Sequence, residues 1–183
     1  MKKRKILVVL LSLIALYSCI GSVGAYMRKQ TEVVENVIIP AEVSCEIVET
    51  FRDNKKSEIL IENTGDIEVY LRLHIVTYWL DSNGDILYKP SPVLNTDIDI
   101  VYDETCWLKS GDTYYYMFPV PPGDTGNRTK NLLKDDIVLN FDDDDGSRQV
   151  VEVFAEAIQS KPEEAVENSW KVTVTDEKIT AVN

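Results

Sequence analysis

Between Val33 and Phe118, apolar and polar residues alternate with a period of two, and the 3.6-residue spacing of an amphipathic helix is largely absent. The pattern predicts a lead-in strand over residues 37–48, with Pro40 near its start, where a missing N–H is tolerated. A second strand is predicted over 57–62. Asn63, Thr64, Gly65 and Asp66 then form a turn, because Asn and Gly take positive φ cheaply. The strongest strand, 68–80, is rich in β-branched and aromatic residues that suit a pleated, half-buried surface. It places Val69, Leu71, Leu73 and Ile75 on one face and Tyr70, Arg72, His74, Val76 and Tyr78 on the other.

Asp81, Ser82, Asn83, Gly84 and Asp85 mark a hairpin into a short strand over 86–89, which Pro90 and Pro92 close. Further short strands are predicted at 98–102, 106–109, 113–118, 137–141, 149–158, 171–175 and 179–182. Pro162 followed by Glu163 and Glu164 reads as the first turn of one short helix over 161–170. Many short strands parted by Gly, Pro and Asn turns predict an all-β sandwich rather than alternating β–α units, with no internal repeat.

The first 25 residues stand apart in composition. Lys2, Lys3, Arg4 and Lys5 precede an apolar run over 6–16, and Val23, Gly24 and Ala25 offer the small residues that a signal peptidase reads. Cleavage after Ala25 is one reading. A retained anchor is another, since residues 6–27 carry no charge and 22 residues span a bilayer of ~30 Å as a hydrophobic helix. A lipoprotein reading would use Cys19, behind a bulky Tyr17; no prepilin cleavage site precedes the apolar run. In every case the basic end stays inside and the body faces outward, secreted or on the outer face of the membrane. Residues 26–183 are then a single domain, and the membrane is touched only through the N-terminal segment.

Charge sharpens the picture of the body. The chain has 19 Lys+Arg against 31 Asp+Glu. Without the four basic residues of the leader the balance is 15 to 31, or −16. So acidic a body repels phosphate backbones and anionic lipid, which excludes nucleic acid as a partner.

Candidate chemistry is sparse. The single histidine, His74, lies mid-strand without a nucleophile elbow, and one His cannot build a zinc-peptidase site. No catalytic residue and no cofactor site is assigned. Asp142, Asp143, Asp144 and Asp145 are weak candidates for calcium, although neighbouring strand residues point to opposite faces and a solvated hairpin tip explains them better. The 81–85 turn resembles an EF-hand opening but lacks its Gly and flanking helices. Asn127, Arg128 and Thr129 form a glycosylation sequon, of little meaning in a bacterial-type protein. Cys45 and Cys106 are either a disulfide pair in an oxidising compartment or two independent buried thiols. Tyr78, Trp79, Tyr102, Trp107, Tyr114, Tyr115, Tyr116 and Phe118 supply either a sugar-binding face or core and cross-strand pairs.

Taken together, the leader, the acidic lead-in and the stretch Ile61-Glu-Asn63-Thr64-Gly65-Asp66-Ile-Glu-Val-Tyr70-Leu-Arg72 resemble the camelysin/TasA-like exported proteins of Gram-positive bacteria, which use a dedicated SipW-type signal peptidase. Tyr78-Trp79 before the 81–85 turn, Tyr115-Tyr116 before Pro121-Pro122-Gly123-Asp124-Thr125, and Ala155 to Gln159 followed by Ala165-Val166 and Trp170 extend the likeness over most of the chain. Lys171, where a Gly is more familiar, and Cys19 in the leader depart from it. The resemblance implies a jelly-roll or immunoglobulin-like sandwich and an exported, non-enzymatic surface or biofilm-matrix subunit. Such a subunit self-associates when its N-terminal strand, here within 26–39, adds to a neighbour. The alternatives are a monomeric surface module binding glycan or protein, and a secreted hydrolase built on paired carboxylates.

Overall fold

A computed structural model describes residues 41–141 and 145–183, which belong to one compact unit, Ala41–Asn183. The leader, the Ala25 cleavage position, Cys19, the 26–39 segment, and Asp142, Asp143 and Asp144 lie outside the described residues. The described chain is predominantly β with one helix. Strands β1 (Cys45–Arg52), β2 (Lys55–Asn63) and β6 (Ile137–Val138) form one antiparallel sheet, in the order β1-β2-β6. Strands β3 (Val69–Leu80), β4 (Trp107–Ser110), β5 (Thr113–Tyr116) and β7 (Arg148–Gln159) form a second, in the order β4-β5-β3-β7. Helix α1 (Glu163–Trp170) and the hairpin β8 (Val172–Thr175) and β9 (Lys178–Val182) follow.

The alternation along β3 is realised on both faces. Val69, Leu71, Leu73 and Ile75 join Ile59 and Ile61 of β2, Val151 and Val153 of β7, and Trp107, Tyr114 and Tyr116 in a core shared by the two sheets. The opposite face begins with Tyr70, which packs with Tyr115, Val166, Trp170, Val172 and Ile179, so α1 and the β8–β9 hairpin cover that end of the sheet. Beyond it the cover stops, and Val76 and Phe154 are exposed.

Several predicted strands are corrected. Residues 41–44 are not strand, because their backbone groups bond to the 63–66 turn; β1 instead runs on to Arg52. It closes on β2 through Asp53 and Asn54, both at positive φ, the geometry of a two-residue hairpin. Residues 86–89 make only a single bridge, Leu80 to Ile86, and the prolines that follow supply no N–H to extend it. The 98–102 segment is not a strand: Ile98 and Ile100 point into the core as plugs from a loop. Strand β5 ends at Tyr116, before Pro119, and the 137–141 run keeps only two residues of ladder. Strand β7 gains a residue at each end and pairs with β3 over all twelve positions, from Val69↔Gln159 to Leu80↔Arg148.

The helix starts two residues later than predicted, with Pro162 as its extended N-cap and the two glutamates in its first turn, where they complement the positive end of the dipole. It stops at Lys171, which is left-handed at φ 56. An L side chain in that region is strained by roughly 1–2 kcal/mol, and glycine is not. Lys171→Gly is therefore expected to raise the urea unfolding midpoint, by a stability gain of about 1 kcal/mol, with the far-UV spectrum unchanged. A lower midpoint would show that the lysine is not strained there.

Candidate functional site

The most densely built polar feature is the turn after β2. Asn63 is 1% exposed, and its amide donates to the carbonyls of Ile67 at 2.8 Å and Val120 at 3.0 Å. Its Oδ1 accepts from Gly65 N at 3.0 Å, and its own N–H bonds Asn127 O at 2.7 Å. One buried asparagine, through side chain and backbone, thus ties together three loops. The turn then grips the lead-in segment. Thr64 N donates to Ser44 O and Asp66 N to Glu42 O, each at 3.1 Å, while Glu42 N donates to the Asp66 carboxylate at 2.7 Å. Gly65 sits beneath that segment: a Cβ there would lie 2.4 Å from Glu42 O and 3.0 Å from Ser44 N. The glycine serves a close approach of two backbones rather than a positive φ.

From this anchor the lead-in passes into β1, which is an edge of its sheet, and β7 is an edge of the other. Strands β1 and β7 lie next to each other, yet no ladder joins them. At the Arg148 end the β7 edge is occupied by Asn140 and Phe141. Next comes the buried ammonium of Lys56, which donates to Val151 O at 2.9 Å and pairs with Glu49 at 2.7 Å. From Val153 to Ala157 no backbone partner on that side occurs among the described residues. A long unpaired edge is a template for an added strand, and an inward-pointing lysine is a common device for blunting one.

The sequence-derived candidates fall into place around this frame. His74 is held on both nitrogens: Nδ1 lies 2.7 Å from Thr113 Oγ1 and Nε2 lies 3.1 Å from Glu156. Hydroxyl, imidazole and carboxylate in a row resemble a hydrolytic relay. They lie on the face of a sheet, though, and Glu156 is already engaged by Arg72 Nε at 3.0 Å and Nη2 at 2.6 Å. Arg72 in turn stacks on Trp170, 4.7 Å from its ring centre. The row reads as a surface lock between β3, β5 and β7 that ties the sheet to α1. Burial alone would raise the Glu156 carboxyl, but the Arg72 bonds and charge, with His74, hold it below the usual glutamate range.

The aromatics are mostly internal. Trp107, Tyr114, Tyr115 and Tyr116 are buried, in edge-on pairs such as Trp107 with Tyr116 at 5.1 Å, and desolvation pushes the Tyr114 phenol up to about 12. Trp79 lies under the Lys89 ammonium at 4.1 Å. Asp145, the one described residue of the acidic tip, is engaged by Ser147 N and Lys89, and no group of three or more metal-ligating side chains occurs among the described residues. The 81–85 turn closes on itself, with the Asp81 carboxylate accepting from Asn83 N and Asp85 N. Asn127 of the sequon is buried and bonded to Glu62. Cys45 and Cys106 are free thiols in this structure; each packs against the main core, and burial pushes the Cys45 thiol up. Sequence reasoning identified the 63–66 turn but not its partner segment, and gave no sign of the buried Lys56. No known protein family, no curated protein and no solved structure matches the chain.

Gly65→Ala is expected to loosen the lead-in while sparing the core. Amide exchange at residues 42–44 should speed up by at least about tenfold while that of β3 stays unchanged, as for a local opening. Equal protection in variant and parent would mean that the turn does not hold the segment. The Glu156 lock generates a pH signature. A carboxyl held below its ordinary value adds stability that is complete above that value and is lost as pH falls through the lowered one. Glu156→Gln should therefore be less stable than the parent at neutral pH and equal to it in strong acid. A difference that does not shrink with acid would place the contribution elsewhere.

Proposed function

We propose that the chain is an exported, non-enzymatic structural subunit of a bacterial surface or extracellular matrix, with a jelly-roll or immunoglobulin-like sandwich as its body. In this reading the subunit self-associates by strand addition from the 26–39 segment. The observation that carries the reading is the pair of neighbouring unladdered edges, β1 and β7, beside a lead-in segment that the 63–66 turn holds by its backbone. Main-chain hydrogen bonds along such an edge supply affinity, and pockets for alternate side chains supply register. In an added strand Val33, Val37 and Ile39 would fall on one face and Val34 and Ile38 on the other. The likeness to the camelysin/TasA-like proteins supports the same reading, including export by way of the N-terminal segment.

The rival glycan module loses its main support with Trp107, Tyr114, Tyr115 and Tyr116 packed inside. A carboxylate-based hydrolase would need two facing acids in a cleft, one with a raised pKa; the lowered carboxyls of Asp81, Asp103, Asp145, Glu156 and Glu177 run the other way.

The deciding measurement is the intact mass and light-scattering size of the protein recovered from its host's surface and supernatant. An N-terminus near Tyr26 with large species that disappear on deletion of 26–39 is the expected result. A monomer at every concentration would refute assembly, and an intact leader in the membrane fraction would refute release.

A further inference from the structure

At the end of the two-sheet body away from the 63–66 turn, the sheets part around a cavity of about 260 Å³. Its floor is aliphatic, from Leu80, Leu139 and Val151, and its mouth is flanked by Phe51 and Phe141, which are 53% and 52% exposed. Two half-bare phenylalanines facing one opening are costly in water unless something covers them. The volume lies just under the range of about 300–1,000 Å³ typical for drug-sized ligands, which sets the size of an occupant as small.

Two deeply buried polar side chains line the same space. The Lys56 side chain is 5% exposed, and its ammonium spends two of three N–H donors on Glu49 and Val151 O. Gln149, also 5% exposed, uses its Oε1 to accept from Asn140 N at 2.8 Å, while its NH₂ donates to none of the described residues. The unused groups of these two side chains are all donors. Arg148 adds a second cation to the lining, against Glu49, the single acid among the described lining residues, whose charge is already met by Lys56. In a body of net −16, the described lining carries one net positive charge, from Arg148, over apolar walls.

We propose that this cavity binds a small organic carboxylate on an apolar stem. The stem lies between Phe51 and Phe141 over Leu80 and Leu139, and the carboxylate accepts from Lys56 Nζ and Gln149 Nε2. A charge-assisted bond to a desolvated ammonium is among the stronger polar contacts a protein offers, and the carboxylate gives the free amide N–H an acceptor. The site uses neither the 63–66 turn nor the 26–39 segment, although it draws Glu49 and Phe51 from β1 and Gln149 and Val151 from β7.

The test titrates the mature protein with hexanoate, hexanol and hexylamine, following the Gln149 side-chain NH₂ and the Phe51 and Phe141 rings by NMR. Saturable shifts at all three positions, with hexanoate binding at a Kd of about 1 mM or below and at least about tenfold tighter than hexanol or hexylamine, are expected. Gln149→Glu keeps the acceptor for Asn140 N and replaces the free donor with a repelling oxygen, so it should weaken hexanoate by about tenfold or more with the fold intact. Phe141→Ala should weaken hexanoate and hexanol alike. Equal binding of hexanoate and hexanol would overturn the carboxylate assignment, and no shift at the solubility limit would overturn the site. Oligomeric state is read on the same samples, so failure of binding and failure of assembly are scored separately.

Discussion

Strand β3 has a continuous apolar face along its first half and one large aromatic, Tyr70, at the start of the other, and the rest of the body is arranged to satisfy both demands. Val69, Leu71, Leu73 and Ile75 require the first sheet beneath them; Tyr70 requires α1 and the β8–β9 hairpin above. A central strand buried on two sides must also pair on two edges, since a buried backbone group without a partner costs about as much as a lost hydrogen bond. Strand β7 supplies one edge along the full length, while β5 and Val120 share the other. The polar residues of β3 follow the same logic. Arg72 and His74 fall where the second layer thins out, and each is met by Glu156 across the strand pair. Removing the layer above Tyr70 would turn this strand into a one-sided one and expose Tyr115 and Trp170 with it.

Much of this was legible in the sequence because period-two alternation reports a face directly. The two faces of the third strand, the short helix before Trp170 and the long seventh strand are all in the pattern. The hairpin at Asp53 and Asn54 was not, because neither residue is glycine; both are side chains that tolerate the left-handed region by local bonding. Ile98 and Ile100 misled in the opposite direction. Their alternation is real, but it serves a loop that drops two side chains into the core instead of a ladder. Single-sequence periodicity records burial, and burial does not distinguish a strand from a well-anchored loop. The Asn63 turn was recognised as a turn from its φ preferences, whereas its grip on residues 42–44 depends on chain crossings about twenty residues apart, which local pattern does not encode.

The chemistry follows a similar division. Sequence alone discounted the lone histidine for want of partners, and the partners it has in space, Thr113 and Glu156, come from two other strands. Their meeting on an open sheet face shows how readily antiparallel pairing assembles a hydroxyl, an imidazole and a carboxylate. What would turn such a row into a catalyst is a concave pocket and donors for a developing oxyanion, and a pleated face engaged by Arg72 offers a different use for the same groups. The buried Lys56 had no local signal at all. It lies in the polar run Lys55, Lys56, Ser57 and Glu58, and only the sheet register decides which lysine turns inward.

Apart from the Ser44 hydroxyl, which accepts from Thr64 Oγ1, the lead-in is gripped at Gly65 through main-chain atoms: two of its carbonyls, one of its amides, and the room left by the glycine's missing side chain. A backbone grip does not read side chains. The junction between the body and whatever precedes it is accordingly indifferent to the identity of the preceding residues, provided the chain can lie extended there. The grip itself therefore makes no demand on side-chain identity upstream of Glu42. The fold thus behaves as a socket, and what is plugged into it can be exchanged without redesigning the part that holds it.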